Sequence, residues 1–285
     1  MLSLIVHADD FGLSEKINEG ILLAHKHGVL TSTSLVANGA AFEDALHICN
    51  SLPSLDVGVH LTLIEEKPLL NANTIPSLVR EDGSFYPNII EFGKRYMTGR
   101  ICLEEVRAEL SAQIKKVSGY DICVTHLDSH QHLHMLPKVL EITLELAKKY
   151  EVPAVRIPSE SFRIHLINEP RLLLRAAQLL ILRLFCYRGR NAQTVRTDHF
   201  FGFLHGGNLH KQNLLRLLAA LPRGGTCELM CHPGLNDTST RYRHWGYNWS
   251  EELSALTDPD ISNLVSTRGI KLISYRDLSQ IGRGA

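Results

Sequence analysis

Seven short runs rich in β-branched and other apolar residues recur along the chain, and segments of helical periodicity separate several of them. The predicted strands are Leu2–His7, Ser32–Ala37, Asp56–Leu61, Ile122–Leu127, Ala154–Ile157, Cys227–Cys231 and Ile270–Ser274. Ser14 is placed to cap a helix that runs to His27 and stops at Gly28. Leu103, Val106, Leu110, Ile114 and Val117 trace one face of a second helix. Pro137 suits the first turn of a third, over Lys138–Tyr150, and Asn213–Leu221 is a shorter candidate. Strands alternating with helices specify parallel βα units. The expected fold is an irregular (β/α) barrel of about seven mainly parallel strands; an open doubly wound sheet is the alternative, and periodicity does not separate the two.

At 285 residues, without an internal repeat or a linker rich in Pro, Gly or Ser, the chain is expected to form one domain over 1–285. Two stretches, 64–100 and 235–250, exceed ordinary connections and are expected to be long functional loops.

Within this frame the most informative segment is Thr125-His-Leu-Asp-Ser-His-Gln-His-Leu-His134. His126, Asp128, His130, His132 and His134 occupy alternate positions, which on an extended strand would share one face. Unpaired imidazoles and carboxylates fill a core poorly, because each costs free energy when desolvated. They are good ligands for a divalent cation. The run is therefore expected to be the end of a buried strand opening into a metal site.

Other reactive side chains also follow predicted strands: Asp9 and Asp10 the first, His60 the third, Arg156 the fifth and His232 the sixth. In parallel α/β folds these strand ends form the active face. Each residue has a plainer reading. Asp9-Asp10 is compatible with a turn and cap, His60 with a satisfied core histidine, His232-Pro-Gly with a turn, and Arg156 with a simple ion pair. Their joint placement favours a site.

Composition narrows the classes of function. Thirty basic residues balance 30 acidic ones, which argues against a nucleic-acid partner. The six cysteines are too scattered for a disulfide scaffold; Cys227 and Cys231 read as strand filler rather than as a ligand pair. The N-terminus lacks the basic region and cleavage site of a signal peptide, and no apolar run approaches a membrane span. A cytoplasmic protein is expected.

Four motifs resemble those of the YdjC/ChbG-like carbohydrate deacetylases. They are Ala8-Asp-Asp-Phe-Gly-Leu-Ser14, Gly58-Val-His-Leu61, the histidine run followed by Pro137, and Met230-Cys-His-Pro-Gly234; the closing Ser274-Tyr-Arg-Asp-Leu278 also fits. The resemblance implies an irregular (β/α) barrel that removes the acetyl group from N-acetylglucosamine units with a divalent metal. It implies Asp10, His60 and His130 as metal ligands, Asp9 as general base, His232 as the acid that protonates the departing amine, and Arg156 as a group orienting Asp9 or the oxyanion. His126, Asp128, His132 and His134 are then expected behind the ligands, fixing ring tautomers by hydrogen bonds. The resemblance favours Mg²⁺, while the ligand types also accept Zn²⁺ and other transition metals.

Two segments bear on substrate. Arg171–Arg188 is unusually apolar yet punctuated by arginines. It reads either as a buried barrel helix or as a basic amphipathic helix against a lipid surface or an apolar aglycone. The second reading fits the hopanoid-associated (HpnK-like) branch that the chain resembles, whose implied substrate is an N-acetylglucosaminyl lipid. Arg241–Trp249 holds both tryptophans, and Trp245 and Trp249 are expected to form a saccharide platform or else to cover the barrel mouth. A metal-dependent phosphoesterase and a non-catalytic sugar- or lipid-binding protein are the alternatives in function, and a homodimer is the default assembly.

Overall fold

The strand β1 (Leu2–Phe11) lies in the interior of the sheet and is buried almost throughout in the computed structural model, which describes residues 1–160, 171–189, 194–236 and 241–281. Its run of apolar side chains suits a parallel strand covered on both faces. The remaining elements are α1 (Glu15–His27), β2 (Ser32–Leu35), α2 (Phe42–Ser51), β3 (Asp56–Leu61), α3 (Ile89–Met97), α4 (Leu103–Ser118), β4 (Val124–Ser129), α5 (Pro137–Lys149) and β5 (Ala154–Val155). They continue with α6 (Arg171–Gly189), β6 (His199–Phe201), α7 (Lys211–Ala220), β7 (Gly225–Cys231), α8 (Trp249–Leu256), α9 (Pro259–Thr267), β8 (Lys271–Leu272) and α10 (Tyr275–Ile281).

The strands follow the order β5-β4-β3-β2-β1-β7-β6, all parallel, and curl into a half-barrel surrounded by helices. The eighth strand, β8, pairs only with Ser3 and Leu4 at the start of β1. No ladder joins β5 to β6; single bridges at Ala154–Val195 and Glu160–Phe200 span the gap. The (β/α) barrel read from the sequence is thus the observed class, with its irregularity at this seam.

Local signals set the helices. The Ser14 hydroxyl accepts from the Ile17 amide and starts α1, whose buried Ile17, Ile21 and Ala24 form one face against the sheet. On α4, Val106, Leu110, Ile114 and Val117 are buried as the spacing predicts. The same helix carries two buried polar residues that pin the segment after β3. Gln113 brackets the Thr62 amide and carbonyl, and the Glu109 carboxylate accepts from the Leu69 and Leu70 amides.

Four sequence expectations change. The histidine run is not one extended face: β4 ends at Ser129, and His130–Met135 forms a tight 3₁₀ turn with Gln131 (φ 50°) and His132 (φ 55°) left-handed. Alternation is also the pattern of a strand that stops early, and sequence does not distinguish them. Residues 64–100 are not a structureless loop, since they contain the turn Ala72–Thr74 and helix α3. The stretch 235–250 likewise contains the turn Arg243–Trp245 and the start of α8, with 237–240 outside the described residues. Helix α6 is not fully buried: Ala176, Leu179, Leu182 and Cys186 face inward, while Leu173, Leu174, Leu180, Ile181, Leu184 and Tyr187 are exposed.

Candidate metal centre and active site

Asp9 and Asp10 lie within β1 rather than after it, where the pairing with β2 shifts register between Ala8 and Phe11. Asp10 adopts φ 70°, a left-handed conformation that non-glycine residues rarely take. In a regular strand two neighbours would point to opposite faces. The local kink instead lets both carboxylates reach groups inside the barrel, Asp9 towards Arg156 and Asp10 towards two imidazoles.

Those imidazoles belong to His60, at the end of β3, and His130, just past β4. Asp10 Oδ1 lies 3.4 Å from His60 Nε2 and 3.3 Å from His130 Nδ1. The ligand atoms of all three residues fall within 4.8 Å of one another, and all three are buried. Asp10 Oδ1 and His60 Nε2 make no hydrogen bond, which is costly for buried polar atoms and is relieved by a cation between them.

The far nitrogen of each ring is committed. His60 Nδ1–H donates to Asp128 Oδ1 at 3.0 Å, and His130 Nε2–H donates to Glu65 Oε2 at 3.0 Å. Each bond leaves the lone pair of the other nitrogen facing Asp10, the tautomer a metal ligand needs. Burial pushes His130 down, but the neighbouring Asp10 and Glu65 carboxylates outweigh it and push the ring up to about 10, so a proton and a cation compete for Nδ1. One carboxylate and two imidazoles thus fit a divalent cation with open positions.

Two other acid–imidazole groups are as compact, His7–His126–Asp128 and Asp9–His60–Asp128. Both are already engaged. The two ring nitrogens of His7 bond to Ser32 and Ser34, and Asp9 and Asp128 face the Arg156 guanidinium.

That guanidinium organises the floor beneath the centre. Arg156 is buried and donates to both Asp9 oxygens, at 3.0 and 2.8 Å. It also lies 2.6 Å from Asp128 and 2.8 Å from Glu228, and Glu228 in turn accepts from the Tyr275 hydroxyl at 2.5 Å. Burial pushes Asp9 and Asp128 up, but Arg156 outweighs it and holds both carboxyls well below the usual range. Asp9 and Asp128 are therefore ionised, and the donors of Arg156 point to carboxylates rather than into the cavity.

The rest of the run divides. Asp128 alone touches a ligand ring. His126 packs under Tyr275 at 3.9 Å between ring centres, in space left by Gly58, where a Cβ would come within 2.4 Å of the ring. His134 bonds to the Ser129 hydroxyl and donates to the Arg156 carbonyl, bracing the turn. His132 lies in the cavity wall against Phe200 and Phe203. His126, His132 and His134 therefore do not bond to the ligand rings.

A cavity of about 690 Å³ opens from this centre. Asp9, Asp10, His130 and His232 line one end; Leu136, Ile181, Leu182, Phe185, Phe203 and Leu204 line the other, along α6. His232 follows β7, with its ring against Tyr247 at 4.7 Å and its Nδ1 unpartnered. Its amide donates to Glu252 Oε2 at 2.6 Å. Gly20 on α1 lets this turn pack closely, since a Cβ there would lie 2.2 Å from Gly234 Cα. Of the two tryptophans, Trp245 lines the cavity, whereas Trp249 opens α8 and packs against Gly234. Cys227 and Cys231 are buried within β7, and the Cys231 thiol donates to the His7 carbonyl at 3.2 Å.

Sequence reasoning passed over Glu65 and Glu66. Glu66 binds Arg241 and the Tyr242 hydroxyl, and Glu65 binds His130 and the Trp245 indole. An acidic pair just after a predicted strand is the pattern that singled out Asp9-Asp10, so the same criterion finds them. Glu228 and Tyr275 carry no such signal, because only their distant partners mark them.

The family described as YdjC-like protein matches residues 3–267. The chain is 33% identical over 278 residues to the carbohydrate deacetylase of Geobacillus stearothermophilus, covering 97% of this chain and 98% of that one. It is 32% identical over 281 residues to the chitooligosaccharide deacetylase of Proteus mirabilis, covering 96% and 98%. A crystal structure from Enterococcus faecalis, of a protein described as acting in cellobiose-phosphate cleavage, superposes with a TM-score of 0.75 at 30% identity, covering 97% of this chain and 98% of that one.

Proposed function

The chain belongs to the YdjC-like protein family, and from that premise we propose that it is a metal-dependent hydrolase that removes the acetyl group from N-acetylglucosamine units of a chitooligosaccharide or a related amino-sugar conjugate. The observation that carries this reading is the convergence of Asp10, His60 and His130 on one point, with Asp9 held beside it in a cavity wide enough for a sugar. A divalent cation bound by these three residues, Mg²⁺, Zn²⁺ or a similar ion, supplies Lewis acidity at the amide carbonyl and makes water easier to deprotonate.

The protein's own groups do the rest. Asp9, clamped by Arg156, receives the proton of the attacking water; the guanidinium lowers its basicity, so its contribution rests on position more than on a matched pKa. Arg156 orients Asp9 and does not reach the oxyanion, because its donors are directed at carboxylates. His232, whose ring lines the cavity while its Nδ1 faces the buried Glu252 carboxylate at 4.0 Å, protonates the departing amine. Trp245 and Tyr247 offer apolar faces with polar edges to the sugar ring.

The test is acetate release from N,N′-diacetylchitobiose. Asp9→Asn and His130→Ala should each lower turnover by about 10²-fold or more, in line with the loss of positioned proton transfer or of the metal. If both variants bind metal normally and release acetate at the parent rate, the reading is wrong. Phosphate release from a generic monoester would favour a phosphoesterase, and sugar binding without acetate release a non-catalytic protein.

A second reading concerns the aglycone. The α6 end of the cavity is apolar, which suits a hydrocarbon group attached to the sugar, of the hopanoid-linked kind, better than further sugar units. Faster deacetylation of an alkyl N-acetylglucosaminide than of the free disaccharide would support it; equal rates would remove it.

A further inference from the structure

The segment after β3 and the aromatic segment before α8 meet at one carboxylate. Glu65 Oε2 accepts from His130 Nε2 at 3.0 Å and from the Trp245 indole Nε1 at 3.0 Å. The His130 and Trp245 rings lie face to face at 4.9 Å, tilted by 31°. Next in sequence, Glu66 holds Arg241 at 2.6 Å and the Tyr242 hydroxyl at 2.8 Å. His130 lies 65 residues away along the chain and Arg241, Tyr242 and Trp245 lie 175–180 away, so this is a tertiary latch.

The backbone is bent to make it. Glu65 sits at φ 68°, in the left-handed region, held by its amide donating to the Tyr86 carbonyl at 2.9 Å. Such a conformation in a non-glycine residue costs about 1–3 kcal/mol and persists where the surroundings require it. An ordinary extended Glu65 would carry its carboxylate away from both donors.

We infer that Glu65 is a positioning residue that joins the metal ligand His130 to the cavity wall at Trp245, so that the metal centre and the aromatic face of the site assemble as one unit. By accepting the Nε2 proton, Glu65 leaves Nδ1 of His130 free for a cation and sets the plane of its ring. By accepting from the indole through the same oxygen, it sets the plane of Trp245 against that ring. A shift of His130 as a cation binds is therefore passed to Trp245. This inference rests on the metal centre proposed above and is independent of which acetylated sugar is turned over.

The experiment uses intrinsic fluorescence. Trp245 and Trp249 are the two tryptophans of the chain, so Trp249→Phe isolates Trp245 as the reporter. Titration of the metal-stripped protein with Zn²⁺, which has no quenching unpaired electrons, is expected to change Trp245 emission with the same midpoint as calorimetric binding. Glu65→Ala in the same background should weaken Zn²⁺ binding by about 10- to 100-fold and abolish the emission change. Glu65→Gln keeps a carbonyl oxygen for both donors, so it should keep the emission change while binding Zn²⁺ several-fold less tightly. Folded Glu65→Ala protein that binds Zn²⁺ as tightly as the parent, with the emission change intact, would overturn the inference. If Glu65→Ala does not fold, unaltered Zn²⁺ affinity in Glu65→Gln would do the same. A parent that binds no Zn²⁺ at all overturns the metal centre itself, which separates the two failures.

Discussion

At the Asp10 end of the cavity, side chains from β1, β3, β4, β7, α10 and the segments after β3, β4 and β5 meet in contacts of 2.5–3.4 Å. At the other end, helix α6 alone supplies much of the wall, and Ile181 and Leu174 line the cavity while still substantially exposed. The first region exists only when many distant parts of the chain agree. The second is one helix lying against Phe203 and Leu204. Buried charges tolerate no missing partner, whereas apolar surface accepts any group of suitable size, so the Asp10 end is suited to one chemistry and the α6 end to adjustable recognition.

The comparison breaks first at Arg156 if it is wrong. Arg156→Met leaves Asp9, Asp128 and Glu228 without their shared cation and should cost about 3–5 kcal/mol in denaturant unfolding, with acetate release lost. A variant as stable as the parent would show that the floor is not interdependent.

The next effect separates the two tryptophans. Trp249→Ala should cost up to about 3 kcal/mol of stability, as expected when a large packed ring is removed. Trp245→Ala should leave stability nearly unchanged and raise KM for diacetylchitobiose about tenfold, a loss typical of one aromatic contact. Equal effects of the two on KM would restore a shared platform.

Smaller again, Ile181→Glu should change stability by no more than about 0.5 kcal/mol, since the side chain is 56% exposed. Turnover of the disaccharide should hold within about twofold, while turnover of an octyl N-acetylglucosaminide falls about tenfold, the worth of a modest apolar contact.

The smallest effect is a pH dependence near the α6 end. Burial pushes the Glu160 carboxyl up to about 7, against hydrogen bonds from the Leu204, Phe203 and Gly202 amides. An acid whose folded pKa exceeds its unfolded one favours the folded state only while protonated. This contribution is complete below about 4.5 and declines as pH rises towards 7. Glu160→Gln should therefore flatten the fall in Tm between pH 4.5 and 7 by a few degrees in scanning calorimetry.

Much of this was legible beforehand, for particular reasons. The strand starting at Leu2, the Ser14 cap and the α4 stripe are local patterns, and each lies where its spacing predicts. Asp9, Asp10, His60, Arg156, His232 and the histidine run were legible as candidates because they lie at the ends of predicted strands, and the resemblance to the deacetylases implied Asp10, His60 and His130 among them as the ligands. The strand His199–Phe201 was missed because three residues carry no period, and α6 was left between two readings because an apolar helix looks the same whether its outer face is covered or bare.

By itself, then, the sequence determined a parallel βα architecture and a supply of carboxylates and imidazoles at the strand ends, since both follow from residue type and short-range spacing. The resemblance pointed to His130 among the five alternating groups, but only the tertiary structure decided how it meets Asp10. Left-handed turns at Asp10, Gln131 and His132 re-aim side chains that a regular strand would have lined up. The pairing of Glu65 with Trp245 has the same origin: contacts between residues 180 positions apart leave no mark on either neighbourhood until the barrel brings them together.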